Sequence, residues 1–221
     1  MSRRAKWIFS VAAALIAVDA VVLAFIFATD ESPVVVASSS SAVVSSGTAL
    51  IGGPFALVRT DGTAVTDQTY LGKWMLIYFG YTHCPDICPL SLANIGAAVE
   101  KLGPEASKLQ PLFITVDPKR DTREVLGEYL WSFDARIIGL TGSEEQTGAV
   151  AKAYKVSVES HQGQGNDSYL VDHSSYVYLM DPRGKFVDVI EGATPPAQLA
   201  DWLRKSMRDN STCEVSDTCD I

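Results

Sequence analysis

Cysteine and histidine are scarce in this sequence, with only four cysteines and three histidines among 221 residues. So few cysteines exclude a small fold held together by a disulfide framework. Internal repeats are missing as well, which argues against solenoid and propeller architectures. Because the metal-binding and redox-active side chains are few, each of them can be considered individually.

The sequence also lacks an excess of positive charge. It has 18 Lys and Arg against 26 Asp and Glu, which gives a formal net charge of −8. Proteins that bind nucleic acid nonspecifically need positive charge to neutralise phosphates. The charge balance therefore argues against nucleic acid as a partner, and it is compatible with a cationic protein partner or a metal cation.

Only one hydrophobic run is long enough to cross a bilayer as a helix, residues 7–28. A basic flank, residues 1–6, precedes it and should stay in the cytoplasm, which directs the rest of the chain outward. The alternative is a cleaved signal peptide. The apolar core of such a peptide is usually shorter, and no good small-residue cleavage site directly follows this run. We therefore predict an uncleaved, single-pass membrane anchor.

Composition divides the remaining chain into three parts. Residues 29–50, rich in Ser, Val and Ala, are predicted to form a flexible linker. Residues 51–207 carry the folded domain. Residues 208–221 form a polar tail that contains Cys213 and Cys219 and shows no apolar periodicity, which is typical of a disordered segment.

Strand and helix patterns mostly alternate within the domain, and Trp74–Phe79 is apolar on both faces, as in a central parallel strand. The predicted strands are Pro54–Arg59, Trp74–Phe79, Leu112–Val116, Arg136–Leu140, Tyr176–Met180 and Phe186–Ile190. The predicted helices are Leu90–Leu102, one from a capping box at 121–124 to Phe133, one from a capping box at Ser143 to Tyr154, and one starting at Thr194-Pro195. This order resembles an α/β thioredoxin-like fold with an added N-terminal strand and a helical insertion.

Cys84 and Cys88 lie where the buried strand Trp74–Phe79 gives way to a helical pattern. A helix start offers free N–H groups and a positive dipole end, which favour thiolate over thiol. Residues at i and i+4 share a helix face, so both sulfurs can point at one object. That object is either a partner sulfur, in a disulfide, or a soft metal ion.

In the thioredoxin fold, a loop just before the final hairpin faces the cysteine motif. The corresponding loop here is residues 170–175, and it contains His173. Two thiolates suit Cu(I), and an added imidazole also permits Cu(II). We therefore predict that Cys84, Cys88 and His173 bind one copper ion per domain.

The other polar residues near these motifs have simpler interpretations. His83 should diverge from its neighbour Cys84, and His161 lies in a polar loop, so neither is predicted to be a ligand. Asp86 is expected to tune the ligands through an outer hydrogen bond, to cap the following helix, or both. Asp117 and Asp121 are predicted to cap a helix and close a loop, the alternative being contact with a partner protein.

The order of three motifs resembles the Sco/SenC family of copper chaperones across roughly residues 51–207. The motifs are Gly80-Tyr81-Thr82-His83-Cys84-Pro85-Asp86-Ile87-Cys88-Pro89, then Thr115-Val116-Asp117-Pro118-Lys119-Arg120-Asp121-Thr122, then Val171-Asp172-His173-Ser174. In that family, two cysteines and one histidine bind copper. The protein helps deliver copper to the binuclear site of cytochrome c oxidase subunit II, or keeps the cysteines of that subunit reduced.

The resemblance implies that Cys84, Cys88 and His173 are the copper ligands of a metallochaperone, which is not primarily an enzyme. It implies cytochrome c oxidase subunit II as the partner, together with other periplasmic copper chaperones and thiol reductants. The N-terminal segment lacks the character of an arginine-rich, amphipathic mitochondrial presequence, which favours a bacterium. With the predicted anchor, we expect an inner-membrane protein with a periplasmic C-terminal domain. Cys213 and Cys219 depart from the family pattern. They are expected to form a local disulfide, the alternative being an accessory copper site or a thiol relay to the core.

Two alternatives for the core cysteines stay open. A structural disulfide between Cys84 and Cys88 would close a very short loop and stabilise little. A thiol-disulfide oxidoreductase would use Cys84 to attack and Cys88 to resolve. Thioredoxin-type enzymes place two residues between the cysteines and a proline in the facing loop. This chain has three residues there and His173 followed by Ser174, which favours metal binding. A peroxidase of the same fold is disfavoured because the proline expected upstream of the cysteine is missing.

Overall fold

The structure is a computed structural model that describes residues 51–162 and 169–213. The predicted anchor 7–28, the predicted linker 29–50 and Cys219 lie outside these ranges, and Cys213 is described only as the last residue of a helix. Among the helices within these ranges, none combines the length and the apolar character needed to cross a membrane.

Nine strands and four α-helices make up the described part of the chain. The strands are β1 (Ala56–Arg59), β2 (Ala64–Thr66), β3 (Trp74–Gly80), β4 (Leu109–Thr115), β5 (Ile138–Thr141), β6 (Val158–Gln162), β7 (Tyr169–His173), β8 (Tyr176–Met180) and β9 (Phe186–Glu191). The helices are α1 (Ile87–Lys101), α2 (Arg123–Leu130), α3 (Glu144–Ala153) and α4 (Pro196–Cys213), with 3-10 turns at Asp67–Tyr70 and Gly103–Lys108.

Seven strands form one mixed sheet in the order β2-β1-β5-β4-β3-β8-β9. The central strands β3, β4 and β5 are parallel, and β8, β9, β1 and β2 extend the sheet in antiparallel pairings. Strand β3 is buried along its whole length because both of its faces are covered. Leu76 and Tyr78 face the core under α1, α2 and α4, whereas Met75, Ile77 and Phe79 face the core under α3.

The predicted order of the core elements is confirmed, with shifts of a few residues at their ends. One shift matters for the site: α1 begins at Ile87 and therefore includes Cys88. Pro89 is tolerated there because residues in the first turn need no intrahelical partner for their N–H groups. The capping box of Ser143 with Gln146 is present as predicted. Helix α4 continues to Cys213, so the prediction that the disordered tail begins at residue 208 is wrong.

The polar segment predicted as a loop around His161 is instead strand β6, which pairs with β7 in a separate two-stranded sheet. Its sequence, Val158 to Gln162, has no apolar alternation to mark it as a strand. The side chains of His161 and Asp172 lie 3.0 Å apart across this hairpin, and both are exposed. The hairpin carries His173 at the end of its second strand.

Helix α4 packs beside α1 and runs in the same direction. Just before the start of α4, the carbonyl of Ala193 accepts a hydrogen bond from the Asn94 side chain of α1 (3.3 Å). Eleven residues further along, Arg204 in α4 donates to the carbonyl of Lys101 at the end of α1. The C-terminal end of α4 therefore lies beyond the end of α1 that is remote from the cysteines.

Candidate metal centre

Cys84 and Cys88 occupy the turn that joins β3 to α1. The N–H of Cys84 donates to the carbonyl of Tyr81 (3.3 Å), which bends the chain after the strand. One turn later, the N–H of Cys88 donates to the Cys84 sulfur (3.4 Å). A free N–H of the helix start is thus directed at a sulfur atom, as the position of the motif predicts.

His173 reaches the cysteines from the β6–β7 hairpin. Its Nε2 lies 3.3 Å from the Cys88 sulfur, although 85 positions separate the two residues. The ring Nδ1 lies 3.1 Å from the carbonyl oxygen of Ser174. A carbonyl only accepts hydrogen bonds, so Nδ1 carries the proton and Nε2 presents its lone pair to the sulfurs. All three potential ligand atoms lie within 4.8 Å of one another.

Cys84 and His173 line an open cleft, and the Cys88 sulfur lies behind them in the interior. Cys88 is fully buried, Cys84 is 9 % exposed and His173 is half-buried. The cleft has a volume of about 430 Å³, and its walls include Tyr81, Pro85 and Leu170. The group therefore has one solvent-facing side through which an ion or a partner sulfur can reach it.

The pKa values of the two thiols are shifted in opposite directions. The neighbouring Cys88 thiol is the main influence that lowers the pKa of Cys84, to about 4, and hydrogen bonds from backbone N–H groups act in the same direction. The pKa of Cys88 is raised, first by the adjacent Cys84 sulfur and then by burial. The pair therefore holds one proton, on Cys88, and Cys84 is a thiolate at neutral pH.

Alkylation of Cys84 by iodoacetamide is expected to change little between pH 6 and pH 8 and to fall only as the pH drops towards about 4. The reason is that a lowered thiol pKa keeps the reactive thiolate populated at lower pH. Free cysteine, with an ordinary pKa of about 8.5, should slow roughly a hundredfold over the same interval from pH 8 to pH 6. Residue-resolved mass spectrometry of the reduced chain measures both rates, and a tenfold change per pH unit at Cys84 would contradict the assignment.

Two tyrosines not identified from the sequence support the histidine. The Tyr81 and Tyr78 rings meet the His173 ring edge to face, with centroids 5.9 Å and 6.4 Å away. The Tyr81 hydroxyl accepts a hydrogen bond from the N–H of Val171 (3.4 Å). Burial raises the pKa of Tyr78, so its hydroxyl stays protonated beneath the cysteines. No sequence pattern indicated these roles, because Tyr78 belongs to the uniformly apolar strand β3 and Tyr81 directly follows that strand.

Asp121 closes a loop, as predicted, but it does not cap a helix. Its buried carboxylate accepts hydrogen bonds from the Thr82 N–H (3.1 Å), the Thr82 hydroxyl (2.6 Å) and the Thr115 hydroxyl (2.6 Å). The N-cap of α2 is Thr122, whose side chain accepts from Val125. The prediction of a capping box at residues 121–124 is therefore wrong, because Asp121 is committed to the cysteine loop.

Other polar residues lie outside the three-residue group. His83 is exposed and its Nδ1 contacts the Thr82 hydroxyl (3.0 Å). His161 is exposed on β6, beside Asp172. Asp86 takes the N-cap position of α1, but its carboxylate makes no capping hydrogen bond. The predicted capping role of its side chain is therefore wrong, whereas an outer role towards the ligands stays a prediction.

The fold and this group define a thioredoxin-like domain with two cysteines and one histidine converging at its surface. The family model described as SCO1/SenC matches residues 43–208. Protein SenC of Rhodobacter capsulatus is 42% identical over 156 residues, which cover 71% of this chain and 70% of that protein. The mitochondrial SCO1 homolog 1 of Arabidopsis thaliana is 44% identical over 165 residues, or 74% of this chain and 49% of its own length.

Solved structures of the same family are also similar to this chain. The structure of Bradyrhizobium japonicum ScoI with copper bound has a TM-score of 0.66 and 41% identity, covering 71% of this chain and 99% of that one. Yeast Sco1 with copper bound has a TM-score of 0.66 and 40% identity, covering 72% of this chain and 88% of that one. The chain belongs to the SCO1/SenC family. It spans about half the length of the mitochondrial Arabidopsis relative.

Proposed function

We propose that this protein is a membrane-anchored copper metallochaperone in which Cys84, Cys88 and His173 bind one copper ion as cargo. The observation that carries the proposal is the convergence of two sulfurs and one ring nitrogen within 4.8 Å, beside an open cleft. Thiolates favour Cu(I), and the imidazole extends the site to Cu(II). Relatives with copper bound share about two fifths of their residues with this chain.

The arrangement suits transfer better than permanent storage. The described part of the chain brings no fourth histidine, cysteine or carboxylate into the group. A site with few ligands and one open side lets an incoming sulfur bind copper before the outgoing sulfurs leave. A closed four-ligand cage, as in structural zinc sites, would retain the ion.

The proposed acceptor is the binuclear copper site of cytochrome c oxidase subunit II, with other periplasmic copper chaperones and thiol reductants as further partners. Membership of the SCO1/SenC family supports this kind of partner. The apolar run at residues 7–28 and the basic flank before it support a single-pass anchor in a bacterial inner membrane, with the domain in the periplasm.

Replacing His173 by alanine is expected to lower Cu(II) affinity about 10- to 100-fold and to shift or remove the sulfur-to-copper charge-transfer band. The imidazole supplies the ligand that Cu(II) prefers, whereas the two thiolates that suit Cu(I) remain. Titration of the reduced full chain with each valence, followed by absorbance and metal analysis, measures the change.

The control for this substitution is His161→Ala, which removes an exposed imidazole from the same hairpin. It should bind copper like the unchanged chain. If His173→Ala leaves both the affinity and the spectrum unaltered, the proposed ligand set is wrong.

The second candidate is a thiol-disulfide oxidoreductase, and the opposite acidities of the two thiols favour it. The Cys84 thiolate would attack a substrate disulfide and release one substrate thiolate. Cys88 would then lose its proton, attack the Cys84 sulfur and release the second thiolate. The substrate gains two electrons, and an external thiol reductant must reduce the resulting Cys84–Cys88 disulfide. Fast reduction of insulin disulfides together with an unchanged copper spectrum in His173→Ala would favour this activity over the metallochaperone.

A further inference from the structure

The hairpin that carries His173 is not part of the seven-stranded sheet. Strands β6 and β7 pair only with each other among the described strands. His173 is linked through Ser174 and Ser175 to β8 of the large sheet, whereas the part of β7 before it is positioned by contacts with the rest of the domain. The residues that make those contacts are neither the proposed copper ligands nor part of the first turn of α1.

The N–H of Val171 donates to the Tyr81 hydroxyl in the middle of β7. The start of the strand is held by a cluster formed by Asp117, Arg120 and Tyr169, which we call the clamp. The Tyr169 hydroxyl donates to one oxygen of Asp117 (2.5 Å), and Arg120 Nε donates to the other oxygen (2.5 Å). Arg120 Nη1 donates to the Tyr169 carbonyl (2.8 Å). The guanidinium also stacks on the Tyr169 ring, with its central carbon 3.6 Å from the ring centroid. The clamp therefore holds β7 at its first residue, four positions before His173.

The clamp is largely buried, and the positive charge of Arg120 is paired with the negative charge of Asp117. Asp117 is 4 % exposed, and the side chain of Arg120 is 19 % exposed. Burial, followed by the Asp117 carboxylate, raises the pKa of Tyr169 to about 12, so its hydroxyl remains a donor. Charge-assisted hydrogen bonds are short and strong, and a guanidinium that also stacks on a ring cannot be replaced by an ammonium of the same charge.

The loop after β4 holds the cysteine side of the site as well. Asp121 in this loop anchors Thr82, two residues before Cys84, through the hydroxyl and the backbone N–H. Arg120, the preceding residue, holds β7. One short loop therefore contacts both halves of the site. Asp121 binds Thr82 on the cysteine side, and Arg120 binds Tyr169 on the histidine side while its guanidinium also lies 5.7 Å from the centroid of the Tyr81 ring.

We propose that Arg120, acting through the clamp, is the positioning residue that sets the distance between His173 and the two cysteine sulfurs, and thereby whether the site binds Cu(II) as well as Cu(I). The inference rests on the copper ligands proposed above. Without the clamp, β7 keeps its pairing to β6 but loses its attachment to the loop after β4. The two sulfurs on the α1 turn stay in place, because Asp121 holds their loop by hydrogen bonds to Thr82, whereas Arg120 meets that loop only at the Tyr81 ring, 5.7 Å from its centroid.

The test compares the affinities of the full chain for Cu(I) and Cu(II) after substitution of Arg120 by alanine. We expect Cu(II) affinity to fall at least about tenfold and the charge-transfer band to approach that of His173→Ala. Cu(I) affinity should stay within about threefold, since the two thiolates are untouched. Arg136→Ala is the matched control, because Arg136 is also ion-paired with a nearby aspartate but lies away from the site.

Tyr169→Phe provides a second variant if Arg120→Ala does not fold. It removes the hydroxyl that donates to Asp117 and keeps the ring under the guanidinium, so the same selective loss of Cu(II) should follow in smaller degree. Circular dichroism and thermal unfolding establish that each variant is folded.

The possible outcomes separate the two proposals. If His173→Ala changes Cu(II) binding and the folded clamp variants do not, the positioning role is wrong and the ligand set stands. If folded clamp variants weaken both valences equally, the clamp supports the whole domain and not the histidine, which also overturns the inference. If His173→Ala has no effect, the proposed function itself fails.

Discussion

Replacing Cys88 by serine is expected to abolish copper binding at the core site. The Cys88 sulfur contacts both other members of the group: its thiol is the main cause of the lowered Cys84 pKa, and His173 Nε2 lies 3.3 Å away. A serine hydroxyl stays protonated at neutral pH and is a poor ligand for a soft ion. Bound copper, measured by metal analysis after gel filtration of the reduced chain, should fall from about one equivalent to less than about a tenth.

The tail cysteines must be removed for this measurement to be unambiguous. The parent chain should therefore carry Cys213→Ser and Cys219→Ser, which we expect to retain one equivalent of copper at the core. Retention of a full equivalent after the further change at Cys88 would show that the core cysteines are not the ligands. Loss of copper from the parent itself would place the metal in the tail.

Replacing Gly80 by alanine is expected to lower the free energy of unfolding by about 1–3 kcal/mol and to weaken copper binding at the same time. Gly80 ends β3, directly below the site. An added Cβ would lie 2.8 Å from Cε2 of Phe113 and 2.9 Å from the Cys88 sulfur. Phe113 is fully buried and cannot easily move, so the strain falls partly on the sulfur. Urea unfolding and copper titration of the same variant measure both effects.

A glycine elsewhere in the chain provides the control for this substitution. Gly148 lies inside α3, and a Cβ added there meets no atom within 4 Å. Gly148→Ala should therefore raise the free energy of unfolding by about 0.5–1 kcal/mol through helix propensity and leave copper binding unchanged. If Gly80→Ala behaves like Gly148→Ala, the close packing of the strand against the site has no energetic consequence.

The central strands and helices could be predicted because their patterns are local. Strand β3 is apolar at every position, and the capping box of α3 lies within four consecutive residues. The β6–β7 hairpin could not be predicted in the same way, since β6 is mostly polar and Val171 is the one fully buried residue described in β7. A strand that buries so little lacks the apolar alternation on which sequence-based assignment depends.

In the site, too, the local features could be predicted from the sequence and the long-range contacts could not. The i, i+4 spacing of Cys84 and Cys88 predicts that both sulfurs share one face of a turn, and their geometry agrees. The approach of His173 could be predicted only through the resemblance to a known fold, because it spans 85 positions. Arg120 and Tyr169 are 49 positions apart, and no local pattern indicates that they touch. Tertiary structure is needed to show that one loop attaches to both sides of the group.

The parallel packing of α4 on α1 determines where the tail leaves the domain. At about 1.5 Å of rise per residue, Cys213 lies roughly 30 Å from Cys88 along the common helix direction. The described part of α4 thus ends far from the core cysteines of the same polypeptide. An exchange of electrons or copper that passes between the tail of one molecule and the core of another is distinguished by a rate that rises with protein concentration.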